Sequence, residues 1–279
     1  MGNNAQGAIE YLLIIAAAIL VVAIVILAIT GALGGGQDQS SISIDKQCSS
    51  FQGLQYAQNK EEYASIQNGL LGYWNLNGDT LDISGNNQNG FDCTGHCPSV
   101  VDGLWGSKAY AFDGMNSYLD FGSFFPAEEM KTITFWANFN SDNTSPGQEI
   151  VSKSTNSRGV EVLWYNGGLA YYVMGGYSRT IVKPKTEINL GEWYFVVATQ
   201  ENGDMKFYID NELVGSNNDP PTPLNGLDDK LLFGDWAVGG SRRYNGALEE
   251  VGIWNRVISS AERDFLWNNG KGREVIFCE

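Results

Sequence analysis

Glu10 stands at the front of a run of nineteen apolar residues, 11–29. A carboxylate in hydrocarbon costs roughly 2.5–3.5 kcal/mol at mid-depth on insertion scales, so it calls for a partner or a task. Further along, aromatic rings and arginines gather twice. Trp164, Tyr165, Tyr171, Tyr172, Tyr177 and Arg179 surround one turn, and Trp236, Arg242, Arg243 and Tyr244 surround another. Such sets suit a sugar, rings against its apolar face and polar groups at its hydroxyls. Side-chain alternation gives half of any strand's aromatics to a core. Tyr177, Arg179, Trp236 and Arg243 are the most loop-like, so these four are the candidate carbohydrate-binding residues.

Carboxylate and amide oxygens are dense in one turn-rich stretch, where Asn77, Asp79, Asp82, Ser84 and Asn86 follow one another closely. Ca²⁺ takes six to eight such oxygens. The spacing is not that of an EF-hand loop, and the same residues also make Asx turns. Glycoside hydrolysis needs two carboxyls about 5–5.5 Å or about 6.5–9.5 Å apart. Glu249 and Glu250 are adjacent, which on a regular strand sends them to opposite faces. The lone histidine, His96, sits between two cysteines. No catalytic residue is assigned, and the chain reads as a binding protein rather than an enzyme.

Four cysteines allow three pairings. The DCTGHCP loop suggests Cys93 with Cys97, leaving Cys48 and Cys278 for each other; one close pair is poor spacing for zinc. A Cys48–Cys278 bridge closes a loop long enough to stabilise by about 4–5 kcal/mol in the chain-entropy model. Asn143 heads an Asn-Thr-Ser glycosylation sequon.

The elements that must position these groups follow from composition and pattern. Lys and Arg total 17 against 32 Asp and Glu, a net charge of -15, which argues against nucleic acid as a partner. Residues 11–29 form a helix about 28 Å long, close to the thickness of a bilayer core. No Lys or Arg precedes them, and the apolar run is longer than a secretory signal's. Residues 31–47 have the composition of a flexible tether, and a short helix is expected near 60–66. From residue 70 the pattern turns to short alternating strands. TITFWANF alternates with period two, and Asn166-Gly167, Asn202-Gly203 and Asp210-Asn211 are hairpin turns. Length and turn density indicate an all-β, two-sheet sandwich. Ser259 and Glu262 make a capping box for one short helix that ends at Gly270, and residues 274–277 are expected to return as an edge strand.

Two resemblances sharpen this reading. The segment AQGAIEYLL, residues 5–13, resembles the class III signal of archaeal type IV pilin-like proteins. That resemblance implies cleavage between Ala5 and Gln6, which puts Glu10 at mature position five, where its carboxylate would neutralise the new terminal ammonium of a neighbouring subunit. An α-amino group with pKa about 7.7–8.0 is mostly charged at neutral pH, so the pairing is chemically sound. The blocks GLLGYWNLNGDTLDISGNNQNG, KAYAFDGMNSYLDFG, GEWYFVVATQENGDMKFYIDNELVGS and YNGALEEVGIWNRVISSAE resemble, in order, the laminin G-like or concanavalin A-like jelly roll. Members of that family bind carbohydrate, calcium or proteins, and some relatives hydrolyse glycans through a Glu-x-Asp-x-Glu run. The nearest match here, residues 208–212, lacks the first Glu. The family's strand order places Glu249 beside the first strand, so Asn77, Asp79, Asp82 and Glu249 are the candidate ligands of one structural Ca²⁺.

The expected organisation is a leader (1–5), a pilin-like hydrophobic helix (6–33), a linker (34–68) and a lectin-like sandwich (69–279). It implies a membrane protein that becomes a surface or filament component, its C-terminal domain outside. The partners are other pilin-like subunits and a glycan or cell-surface ligand. The alternative is a monomeric, membrane-tethered carbohydrate-binding module or glycanase accessory.

Overall fold

The described residues all belong to one compact unit, Cys48–Glu279. The computed structural model describes residues 56–277 apart from 57, 141–146, 156–157, 166, 176–177, 183–186, 219–228, 237–241 and 276, and only the backbone of 105 and 178–182. Ala5, Gln6, Glu10, Cys48, Asn143, Tyr177 and Cys278 therefore lie outside the described residues. So does the apolar run, and among the described residues no helix is long and apolar enough to cross a membrane.

After helix α1 (Lys60–Gln67) come β1 (Leu70–Trp74), β2 (Ser99–Asp102), β3 (Lys108–Asp113), β4 (Leu119–Asp120) and β5 (Thr132–Phe139). Then follow β6 (Gln148–Thr155), β7 (Arg158–Trp164), β8 (Leu169–Gly175), β9 (Ser178–Val182), β10 (Trp193–Glu201), β11 (Asp204–Ile209) and β12 (Glu212–Asn217). The chain closes with β13 (Leu232–Phe233), β14 (Asn245–Trp254) and helix α2 (Ser260–Trp267). An eight-stranded sheet runs β12-β11-β10-β5-β14-β3-β2 with β1 also on β14, and a six-stranded sheet runs β4-β13-β6-β7-β8-β9. All of the pairings are antiparallel.

Two of the three turns expected from sequence form where their residues tolerate positive φ, and Asn166 of the third lies outside the described residues. Asn202 and Gly203 take φ of 50° and 82°, and Asp210 and Asn211 take 50° and 66°, the twist that two-residue hairpins require. Alternation then sorts the side chains. Ile133, Phe135, Ala137 and Phe139 meet Val160, Val162, Tyr171 and Val173 between the sheets. The opposite face of the eight-stranded sheet carries Tyr73, Trp136, Phe195, Val197 and Trp254, which Tyr63 and Ile66 of α1, Phe265 and Leu266 of α2, and Val275 and Phe277 of the tail cover. The helix at 60–67, placed in a linker by sequence, thus packs on the sandwich; Trp254 Nε1 donates to Ile66 O at 2.6 Å.

Helix α2 begins with the expected capping box between Ser259 and Glu262. Residues 274–277 depart from expectation, because no strand forms there among the described residues. Side chains satisfy this backbone instead. Val275 N donates to Glu250 Oε2 at 3.2 Å, and Asn75 Nδ2 donates to Val275 O at 3.2 Å.

The Glu249-Glu250 expectation also needs correction. In the β14–β5 register Glu249 faces Trp136 while Gly252 faces Thr134, so β14 carries an extra residue, and Glu250 adopts φ 53°. A bulge of this kind suspends alternation. Leu248 and Val251 both enter the inter-sheet core, leaving both carboxyls on the outer, helix-covered side.

Candidate functional site

The outer face of the six-stranded sheet carries the chemistry. Register pairs Glu149 with Leu163, Ser152 with Glu161 and Ser154 with Gly159 across β6 and β7, and then Leu163 with Ala170, Glu161 with Tyr172 and Gly159 with Met174 across β7 and β8. Paired residues share a face. The intervening valines point to the core, so Glu149, Glu161, Leu163, Tyr172 and Met174 stand together outside it. A segment following β13 brings Trp236 and Arg242 onto them. Its attachment is main-chain: Glu149 N donates to Arg242 O at 2.9 Å.

A cavity of about 190 Å³ results, its walls including Glu161, Tyr165, Tyr172, Met174, Trp236 and Arg242. Tyr165 meets Tyr172 edge to face, ring centroids 6.0 Å apart. Trp236 Nε1 donates to Ser154 Oγ at 3.1 Å, and that hydroxyl donates to Glu161 Oε1. The Arg242 guanidinium lies 4.3 Å from the Trp236 ring centroid, a cation–π stack. Its Nη1 donates to Glu149 Oε1 at 2.9 Å and stands 3.8 Å from Glu161 Oε2. One cation therefore engages an indole and two carboxyls.

Glu149 is wholly buried, and its Oε2 has no hydrogen-bond partner. Burial, and next the charge of Glu161, push its pKa well above the ordinary carboxylate value, against the pull of Arg242. A protonated carboxyl both donates and accepts. The arrangement offers aromatic surface and an ordered guanidinium in one recess, with Glu149, off its wall, holding that guanidinium.

Comparison with known proteins places the sandwich in a family. Residues 112–262, just over half of the chain, match the family model of the concanavalin A-like lectin/glucanases superfamily. The chain belongs to that superfamily. Residues 3–28 match the class III signal peptide. No curated protein matches. Among solved structures, the binding domain of paraclostridial mosquitocidal protein 1 is 18% identical with a TM-score of 0.61, over 74% of this chain and 53% of that one. Domain 4 of AbnA, a GH43 extracellular arabinanase of Geobacillus stearothermophilus solved with arabinotriose, is 16% identical with a TM-score of 0.58, over 69% and 95%. The binding domain of botulinum neurotoxin DC, solved with SialylT, is 15% identical with a TM-score of 0.56, over 73% and 51%. The chain thus spans about half the length of the toxin binding domains it matches. At these identities the likeness is one of fold.

Within this concanavalin A-like sandwich the sequence candidates separate. Trp236 reaches the pocket. Arg243 does not line it, since it pairs with Asp235 and lies 4.7 Å from the centroid of the Tyr118 ring; its neighbour Arg242 occupies the place expected of it. Arg179 holds the register position opposite Met174. Sequence reasoning assigned no role to Glu149 or Glu161, although Glu161 is a charged residue between valines, VEV, and Glu149 directly precedes an apolar pair, EIV, which marks a side chain aimed away from the core.

The oxygens proposed for Ca²⁺ serve turns. Asp82 accepts from the backbone N–H groups of Tyr73, Ser84 and Gln88, Asp79 from that of Leu81, and Asn77 from that of Lys108. Glu249 accepts from Leu104 N and from Ser107 Oγ, both at 2.8 Å, and leaves no room for a side chain on Gly103. Among the described residues no three His, Cys, Asp or Glu gather to hold a metal ion. Cys93 and Cys97 form the expected disulfide. It closes the loop bearing His96, whose ring stacks on Tyr118 with centroids 4.0 Å apart.

Proposed function

We propose that this protein is a surface-displayed, non-catalytic glycan-binding adhesin, in which the class III signal segment delivers and assembles the chain and the sandwich presents the pocket around Trp236 and Arg242. The observation that carries the reading is that pocket. Aromatic side chains and a guanidinium held by two carboxyls line a recess on a superfamily fold, and two structural neighbours were solved with saccharide-named ligands. Hydrolysis fits poorly. Among the described residues Glu161 is the one carboxyl on the wall of the recess, and Glu149, off that wall, is ion-paired with Arg242, so the recess does not present the two carboxyls that would flank a scissile bond.

The binding half is tested by probing a glycan array with the full-length chain in detergent. Trp236→Ala should lower affinity by about 2 kcal/mol or more, as loss of a central aromatic anchor does. Unchanged binding by that variant would exclude this pocket. The assembly half rests on Gln6 as the mature first residue and on the Glu10 carboxylate. Terminal sequencing of envelope-extracted protein should begin at Gln6, and Glu10→Gln should abolish filaments seen by electron microscopy. Filaments that persist would leave a tethered monomeric binding module.

A further inference from the structure

A second recess lies at the turn joining β11 to β12, beside the last residue of α2. Its volume is about 530 Å³, inside the roughly 300–1,000 Å³ range of small-molecule sites, and its walls include Tyr194, Ile209, Asp210, Glu212, Val214 and Trp267. None of these lines the pocket at Trp236. Hydrogen bonds hold the turn in place: Asp210 Oδ1 accepts from Phe195 N at 2.9 Å, and Asn211, also on the wall, accepts from Arg263 Nε at 3.2 Å while donating to Asp264.

The Trp236 pocket shows what such groups require. There the chain supplies its own cation, since Arg242 stacks on an indole and pairs with two carboxyls. In the second recess an indole, a phenol and two carboxyls meet, and among the described residues no cation pairs with Asp210 or Glu212 or lies over the Tyr194 or Trp267 ring. The neighbouring arginines are engaged elsewhere, Arg263 over Tyr208 at 4.1 Å and Arg273 over Phe265 at 4.3 Å. Burial raises the Asp210 pKa against the hydrogen bond from Phe195, and the charges of Glu212 and Glu192 raise it further. A cation brought by a ligand relieves that repulsion.

The donor set is wrong for a metal ion. Two carboxyls and an amide already engaged at both ends fall short of the six to eight oxygens that Ca²⁺ takes. An ammonium on an apolar body matches the wall, its charge toward the acids and rings and its body toward Ile209 and Val214. A lysine stem is too thin to fill the space, whereas a sugar ring has the breadth and an apolar face that stacks on an aromatic side chain.

We infer that this recess is a second binding site, independent of the Trp236 pocket, that takes a sugar carrying a free amine, with Asp210 and Glu212 recognising the ammonium.

The test titrates the full-length Trp236→Ala chain, in detergent, with glucosamine oligomers and with their N-acetylated counterparts of equal length, so that the second recess is read alone. The free amine should bind at least about tenfold more tightly, the worth of one hydrogen bond to a charged group, and added salt should weaken it. Asp210→Asn keeps an oxygen to accept from Phe195 N while removing the charge, and Glu212 is exposed. Asp210→Asn and Glu212→Gln should therefore both fold, as circular dichroism checks, and together erase the preference. Equal binding of the two oligomers, or a preference that survives both substitutions, overturns the inference. A lysine peptide bound as tightly as the amino sugar overturns the choice of a sugar. In the otherwise unaltered chain Asp210→Asn should leave neutral glycans bound at the Trp236 pocket, so this inference and the proposed function can fail separately.

Discussion

The two outer faces of the sandwich each bury a pair of glutamates, and they treat them differently. Glu149 and Glu161, on the six-stranded sheet, share Arg242, and Glu161 borders a cavity. Glu249 and Glu250, on the eight-stranded sheet, have hydrogen-bond donors for partners: Leu104 N and Ser107 Oγ for the first, the Tyr73 hydroxyl at 2.8 Å and Val275 N for the second. Burial raises the Glu249 pKa to about 7 and raises that of Glu250 well above the ordinary value. A strand bulge lies beside each pair, between Glu149 and Val151 and between Glu249 and Gly252. The difference is what lies above. Helices and the tail close the second face over apolar side chains, so its acids become structural clasps. The first carries Trp236 and Arg242 and keeps a cavity, and its acids order the guanidinium on that cavity's wall.

Removing the shared cation is the severest way to break this contrast. Arg242→Ala leaves two buried carboxyls without their counter-charge, and a broken buried ion pair costs about 3–5 kcal/mol. Urea denaturation at pH 7 should show a loss of that size. A loss under about 1 kcal/mol would mean that the pair is solvated and the pocket is not preorganised.

The clasp predicts the opposite pH dependence from an ordinary paired acid. Because the folded pKa of Glu249 lies above its unfolded value near 4.5, its contribution is complete at acid pH and is lost as pH rises toward about 7. Wild-type stability should fall between pH 5 and pH 8, and Glu249→Gln should remove about 2 kcal/mol of that fall. Parallel profiles for the two proteins would put the source elsewhere.

Glu262 sharpens the comparison from within the helix-covered side, because it does have a guanidinium. Burial raises its pKa, but hydrogen bonds from Arg256, Ser259 and Ser65 outweigh that and bring it to about 2. Its stabilisation is present above the unfolded value and is lost as pH falls toward 2. Ser259→Ala, which removes one side of the capping box, should cost about 1 kcal/mol in denaturation at pH 7. Less than about 0.3 kcal/mol would show that the rest of the Glu262 network suffices.

The sandwich was legible because strand alternation and the Asn-Gly and Asp-Asn turns are local, short-range signals. The capping box of α2 and the Cys93–Cys97 bridge were local too. The pocket was not. Its residues come from β6, β7, β8 and the segment after β13, and only register tells that Glu161 and Tyr172 stand side by side. Choosing Arg243 over Arg242 was a choice between adjacent positions that composition cannot make. The bulge at Glu249-Glu250 defeats period-two reasoning outright, and the tail at 274–277 looks like a strand until Asn75 and Glu250 supply its hydrogen bonds.

The bond from Glu149 N to Arg242 O carries a consequence for diversification. Being made by backbone atoms, it holds the segment in place whatever side chain position 242 bears, so long as the neighbouring acids are adjusted with it. The same scaffold can therefore take on a different surface chemistry at this face by exchanging a few residues, much as an interchangeable tip is fitted to a fixed handle.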